Sequence, residues 1–317
     1  MKNQLYFAAL LLFLQGCKID ADLSPPCSEP GGWGFASMVT PENKPYRNAP
    51  SANPLNESEF AYIANQDGIE GYWKFDLSSN SNALIAEIDP WEPPDWSIKD
   101  WIVFGSNAQI FICKSNGDSL TQLTFENENY NPSWSPDGEK IIFEKDENDA
   151  VQNFAVLDLG GNIVTEYKST IYAGQTPSWS PDGEKISFVS TSNPFGKILI
   201  AYFEVDNPNE VYYIMNSDIQ NNGVYLTGPL DWYADSETIL FTESGDIYSA
   251  NIITNTISLL KEGVGCSRYS YHSILPNSIA IITVWHESSY DEETNIEYHD
   301  YDLVEIKSDG TEVIISY

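Results

Sequence analysis

An eleven-residue string occurs twice in this chain, almost letter for letter. Asn131-Pro132-Ser133-Trp134-Ser135-Pro136-Asp137-Gly138-Glu139-Lys140-Ile141 returns as Thr176-Pro177-Ser178-Trp179-Ser180-Pro181-Asp182-Gly183-Glu184-Lys185-Ile186. A duplicated string this specific marks an internal repeat, and a repeat limits the fold more than any composition does. Its chemistry is that of a tight hairpin. Proline presets φ at one turn position, aspartate tolerates the neighbouring region of backbone space, and glycine takes positive φ without a clash. The tryptophan closes one strand, and Ile141-Ile142-Phe143 opens the next.

With tryptophan as the ruler, weaker copies emerge at Asp95-Trp96-Ser97 and Asp231-Trp232-Tyr233. Ala52 stands in the same place before Phe60-Ala61-Tyr62, and Tyr271 before Ile279-Ala280-Ile281. The ruler positions 52, 96, 134, 179, 232 and 271 define six units. Each unit reads as four short β-branched or aromatic runs separated by turn residues, as in Asn153–Asp158, Gly160-Gly161-Asn162 and Ile163–Tyr167. One such sheet cannot bury both of its faces, so the units must pack radially. A β-sandwich would supply no reason for an identical recurring hairpin.

At these residues the chain resembles the TolB-like six-bladed β-propellers, built from WD40-like repeats with a Trp-Ser-Pro-Asp-Gly core. The resemblance covers residues 50–317 and implies an all-β fold of six four-stranded antiparallel blades. It also implies a role in protein interaction, although the amino-terminal domain of TolB has no counterpart here.

The amino terminus reads differently. Met1-Lys2, an apolar run from Leu5 to Leu14 and then Leu14-Gln15-Gly16-Cys17 form a secretory signal too short to span a bilayer. Leu14–Cys17 resembles the bacterial lipobox, which makes residues 1–17 a lipoprotein signal peptide and Cys17 the lipidated residue. Gln15 departs from the usual small or β-branched residue. Residues 18–49 form a proline- and glycine-rich tether and lead-in, with Trp33–Val39 a surplus strand. The expected location is the cell envelope: lipid-anchored at the outer membrane, facing the periplasm or the surface. Lys18-Ile19-Asp20-Ala21-Asp22 loosely resembles a surface-export signal, and an ordinary charged linker reads equally well.

With 47 acidic and 15 basic residues, the net charge is −32. Such a chain repels phosphate backbones, so nucleic acid is excluded as a partner. Beyond Cys17, Cys113 lies in the apolar run Ile110–Cys113 and reads as a buried thiol, leaving Cys27 and Cys266 as a candidate disulfide.

The turns between the first and second and between the third and fourth strands of each unit are short. The long connections (Lys145–Gln152, Ser190–Lys197, Glu287–Asp300 and Asn216–Gly228) all fall on the opposite face. Repeat proteins that load length onto one face bind there. The two arginines, Arg47 and Arg268, precede the first strands of units one and six, which become neighbours when a ring closes. Trp91, Tyr130, Tyr172 and Tyr225 hold comparable places elsewhere. Arginine forks suit carboxylates and aromatic rims suit sugars or aliphatic groups, which makes these residues the expected ligand rim, with His272 beside them.

His272, His286 and His299 lack tight metal-ligand spacing and read as surface residues. The acidic runs at 146–149 and 291–293 leave calcium open, but neither matches an EF-hand loop. No nucleophile elbow, P-loop or dinucleotide fingerprint is present. The expected function is therefore a monomeric, non-catalytic binding module for an envelope protein or glycan, without a cofactor. The alternative is a carbohydrate-active enzyme, a glycosidase or lyase with paired carboxylates in the channel.

Overall fold

The computed structural model describes residues 46–146, 153–167, 173–192, 198–214, 228–243, 245–263, 268–275, 278–291, 296–307 and 309–315. They form six four-stranded antiparallel sheets, each with its strands in sequence order, arranged as a β-propeller. The innermost strands are Tyr46–Ala52, Asp95–Trp96, Glu128–Trp134, Ala173–Trp179, Asp231–Trp232 and Arg268–Ser273. Five of the six end on the ruler residue. Each ruler there pairs with the second residue of the second strand: Ala52 with Phe60, Trp96 with Ile102, Trp134 with Ile141, Trp179 with Ile186, and Trp232 with Ile239. Trp134 and Trp179 lie in different sheets, as the repeat requires.

Blade six departs from the expected register. Tyr271 falls at an irregularity, and the strand continues through Ser273, paired with Ile281. Hydrogen bonding identifies the true equivalent. The Trp134 N–H donates to the Asp95 Oδ2 of the preceding blade at 2.6 Å. The Ala52 N–H donates to Ser273 Oγ at 2.8 Å, and the Ile274 N–H donates to the Asp231 carboxylate. In all three the closing residue of one inner strand is held by the side chain just before the closing residue of the neighbouring one. Ile274, three positions beyond Tyr271, is thus the ruler of blade six. The register is poorly marked in the sequence because the inner strand of this unit carries no tryptophan and Tyr271 sits at the bulge itself.

The Trp-Ser-Pro-Asp-Gly turn is hydrogen-bonded from within. Gly138, at φ 64°, donates to the Ser135 carbonyl at 2.8 Å. Ser135 Oγ donates to Asp137 Oδ1 at 2.6 Å and accepts from the Lys140 N–H at 2.9 Å. Ser180, Asp182, Gly183 and Lys185 repeat the pattern. In the weaker copies Asp100 and Ser236 take the left-handed position of the glycine, at φ 59° and 55°. Asp and Ser accept this strain because the turn's other hydrogen bonds hold it there.

The core is a ring of inter-blade clusters. Trp96 packs with Ile63, Tyr72 and Phe104 between blades one and two. Trp134 packs with Val103, Ile112, Phe143 and Leu157 between blades two and three, and Trp232 with Val189, Ile200 and Phe241 between blades four and five. The ring closes where Phe60, Tyr62 and Phe75 of blade one meet Leu275, Leu303 and Ile315 of blade six. Each buried large side chain contributes about 1.5–3 kcal/mol. Cys113 is fully buried and free, and burial pushes its thiol up to about 12.

One expected loop is a sheet instead. In place of the expected connection over Glu287–Asp300, the second and third strands of blade six, Ser278–Asp291 and Ile296–Lys307, stay paired out to Asp291 opposite Ile296. Tyr290, Ile296 and Tyr298 supply strand-forming residues where the acidic character suggested a loop. The middles of the other three long connections lie outside the described residues.

Candidate functional site

Three of the inner strands share a backbone kink three residues before the ruler. Ala49, Asn131 and Thr176 all sit there with positive φ, at 54°, 49° and 52°. Left-handed backbone in a non-glycine residue costs of order 1 kcal/mol and persists only where the surroundings fix it. Here the kinked N–H is captured each time. Asn48 Oδ1 accepts it at Ala49 (2.8 Å), Glu92 Oε2 at Asn131 (2.6 Å), and Glu144 Oε1 at Thr176 (2.5 Å).

Glu92 and Glu144 are thus latches between blades two and three and between blades three and four. Both are buried, at 4% and 2% exposure. Desolvation raises the Glu92 carboxyl well above its ordinary range, with Glu144 adding repulsion. Burial brings Glu144 to about 7 even though the Thr176 N–H and Asn131 Nδ2 both donate to it. Carboxyl groups buried this deeply need hydrogen-bond partners aimed at them.

At the other end of the inner strands, Ser51, Asp95, Ser133, Ser178, Asp231 and Ser273 stand one residue before the structural rulers. Asp95 and Asp231 belong to blades two and five, which lie opposite each other in a ring of six. Burial raises both carboxyls, and repulsion from Asp95 helps bring Asp231 to about 8. Asp95 accepts from the Trp134 N–H and the Ser133 hydroxyl. Asp231 accepts from the Ile274 N–H, but its Oδ2 is shut off from solvent with no hydrogen-bond partner.

Of the expected rim, Trp91 and Tyr130 both lie at the long-loop end, Trp91 in the lead-in to blade two and Tyr130 in the inner strand of blade three. Trp91 is 37% exposed, and its Nε1 donates to Asp89 Oδ2 at 3.0 Å. Tyr130 is half-buried and donates to Glu128 Oε2 at 2.8 Å, and burial together with that carboxylate raises its phenol. The bond from the Asn131 N–H to Glu92 joins the two neighbourhoods.

Arg47 and Arg268 lie in the opening halves of the inner strands of blades one and six, opposite Ala64 and Trp285. These strands are neighbours, and both arginine backbones fall toward the long-loop end. Tyr172, Tyr225, Cys17, Cys27 and Cys266 lie outside the described residues. His272 needs correction as a rim residue. It is 1% exposed, its Nε2 meets the Leu240 carbonyl at 3.1 Å between blades six and five, and burial lowers it to about 4. Held between the two blades, it packs as a neutral ring. His286 and His299 fall on adjacent paired strands, opposite Asp300 and Glu287. Among the described residues no cluster of three metal-ligating groups occurs.

The acids Glu92, Asp95, Glu144 and Asp231 escaped the sequence reading. A signal existed for two of them: Asp precedes Trp96 and Trp232 where Ser precedes Trp134 and Trp179.

No family model matches the chain, and a search of curated proteins returns no match. Solved structures do resemble it. A protein assigned as TolB from Agrobacterium tumefaciens is 14% identical with a TM-score of 0.59, the match covering 76% of this chain and 86% of that one. An oligogalacturonate lyase solved with manganese is 15% identical with a TM-score of 0.52, covering 85% and 77%. A chain of the nidogen/laminin complex is 8% identical with a TM-score of 0.54, covering 85% and 91%. At these identities the likeness is one of fold, and the fold they share with this chain is the β-propeller.

Proposed function

We propose that this protein is a non-catalytic recognition propeller, anchored through a lipid on Cys17 at the outer membrane of the cell envelope, which binds a protein or glycan at its long-loop face. One observation carries this reading. Glu92, Asp95 and Glu144, the buried acids that channel chemistry would draw on, each accept a backbone N–H from the next blade. A catalytic carboxylate must be free to meet substrate, and these are occupied in holding the ring. The rim offers Trp91 and Tyr130 for contact, and Arg47 and Arg268 for an acidic group of the partner.

The test is affinity capture from native membranes with the mature domain, run beside a glycan array. The wild type retains one partner or glycan class, and the double variant R47Q/R268Q loses it with its fold intact. Retention by that variant removes the arginines from the site.

A second reading rests on Asp231. Its unpartnered Oδ2 and its carboxyl near 8 make a protonated acid facing Asp95, an arrangement that a glycosidase could use. The lyase likeness agrees with it at the level of fold. Release of reducing ends from acidic polysaccharides by the wild type, abolished in D231N, would establish the enzyme.

A further inference from the structure

Among the side chains whose exposure the structure describes, the two exposed large aromatics are Phe125 at 75% and Trp91 at 37%. Both lie in connections from the last strand of one blade to the first of the next, on either side of blade two. The strongly exposed apolar residues elsewhere are aliphatic: Leu55, Ile98, Leu120 and Ile253 in turns at the opposite end, and the rest on outer strands. Isolated exposed apolar residues are ordinary on a soluble protein. This pair is set apart by how it is held.

The Phe125 loop is fastened on both sides. Leu123 donates its N–H to the Ile110 carbonyl at 2.8 Å, and Thr124 Oγ1 accepts the Ile110 N–H at 2.9 Å. Asn129, 2% exposed, donates its N–H to the Ala108 carbonyl at 3.0 Å and its Nδ2 to the Glu126 carbonyl at 2.9 Å. Gln109 Nε2 reaches the Asn127 carbonyl at 2.7 Å. Trp91 is tied to the same end of the blade, its N–H meeting the carbonyl of Gly105, which pairs with Ile110. An aromatic on a fixed loop loses little entropy when it docks, which is what makes a binding anchor effective.

The surroundings define the partner's charge. Exposed Glu126 and Glu128 follow Phe125, and exposed Glu87 and Asp89 precede Trp91. Lys145, opposite Asn129 in the sheet, is buried and paired with Glu166 at 2.7 Å. We propose that the connections flanking blade two form a protein-docking surface, on which Phe125 and Trp91 anchor a partner presenting an apolar cleft rimmed by lysine or arginine. This rests on the recognition reading and makes the rim bipolar, with acids beside blade two and arginines beside blades one and six. A neutral glycan would stack on the aromatics without regard to the carboxylates.

The test is photo-crosslinking of the full chain in its native membranes, with benzoylphenylalanine at 125, at 91, at 130 and, on the opposite end, at 55. The expected result is one discrete protein adduct shared by positions 125 and 91 and absent at 55, its cross-linked peptide lying among lysines or arginines. Replacing Glu126 and Glu128 with glutamine should lower its yield about fivefold, the effect of roughly 1 kcal/mol from two rim charges. No adduct at 125, the same adducts at 125 and 55, or a yield indifferent to E126Q/E128Q overturns the proposal. An adduct at 130 alone would overturn this surface and leave the recognition reading standing. Absence at every position, with no glycan bound, would remove both.

Discussion

Glu92 and Glu144 perform the same task, one from a connection and the other from a strand. Glu144 stands in the second strand of blade three, whereas Glu92 comes from the lead-in to blade two and places its carboxylate where a side chain on Gly105 would go. A Cβ on Gly105 would lie 2.2 Å from Glu92 Oε2. Gly105 is the counterpart of Glu144 in blade two, three residues past the partner of the ruler. The glycine and the remote glutamate together rebuild what one glutamate supplies in the next blade.

It follows that Gly105→Ala is destabilising, although the carboxylate it strikes ends a flexible side chain. Moving Glu92 aside leaves the kinked Asn131 N–H without its acceptor, a loss of about 1–3 kcal/mol. Thermal unfolding checks this. The double variant G105E/E92A, which copies blade three, should be more stable than G105A/E92A.

Stability should fall as pH rises from mildly acidic to alkaline. Glu144 and Asp231 have folded-state values near 7 and 8, against ordinary values of 4.5 and 3.8. Groups raised by folding contribute stability that is complete below the ordinary value and is lost as pH rises through the folded one. For fully buried Glu144 the difference amounts to about 3 kcal/mol. Urea unfolding at pH 5 and pH 8 should therefore show greater stability at pH 5, and E144Q/D231N should flatten the difference. An unchanged slope in that variant would assign the pH effect to the general acidity of the chain.

Much of the fold was legible because its repeat is local. The Pro-Asp-Gly turn is made of residues within six positions of one another, so two clear copies were enough to find Trp96, Trp232 and even Ala52. The blade-six register was not legible, since Ile274 is marked by a hydrogen bond to Asp231 more than forty positions away and by no residue type. The site was harder for the same reason. Trp91 and Tyr130 were identified from their place before a strand, but Glu92 acts on Asn131, and nothing in the run Pro90-Trp91-Glu92-Pro93 reveals that it faces inward. The burial of His272 was not legible because histidine is intermediate between buried and exposed types, and its burial depends on blade five.

The ring of side chains before the rulers predicts unequal costs. Asp95→Ala leaves the Trp134 N–H and the Ser133 hydroxyl without their acceptor and should cost about 1–3 kcal/mol, while Ser273→Ala removes a single neutral bond worth about 1 kcal/mol. Chemical denaturation of the two variants measures the difference.

Cys113 should resist alkylation in the folded protein. It is fully buried, and burial holds its thiol near 12, so the reactive thiolate is scarce. Peptide mapping after iodoacetamide treatment should find it unmodified in buffer and fully modified in guanidinium.

The most direct test of recognition at the long-loop face compares two variants of the mature domain in one binding experiment on solubilised native envelope and a glycan array. W91A/Y130A alters the rim, and D231N alters the channel acid. The account predicts that the captured partner is weakened at least about tenfold by W91A/Y130A, some 1.4 kcal/mol, and is retained unchanged by D231N. Binding that survives W91A/Y130A, or cleavage of a bound glycan that stops in D231N, would contradict it.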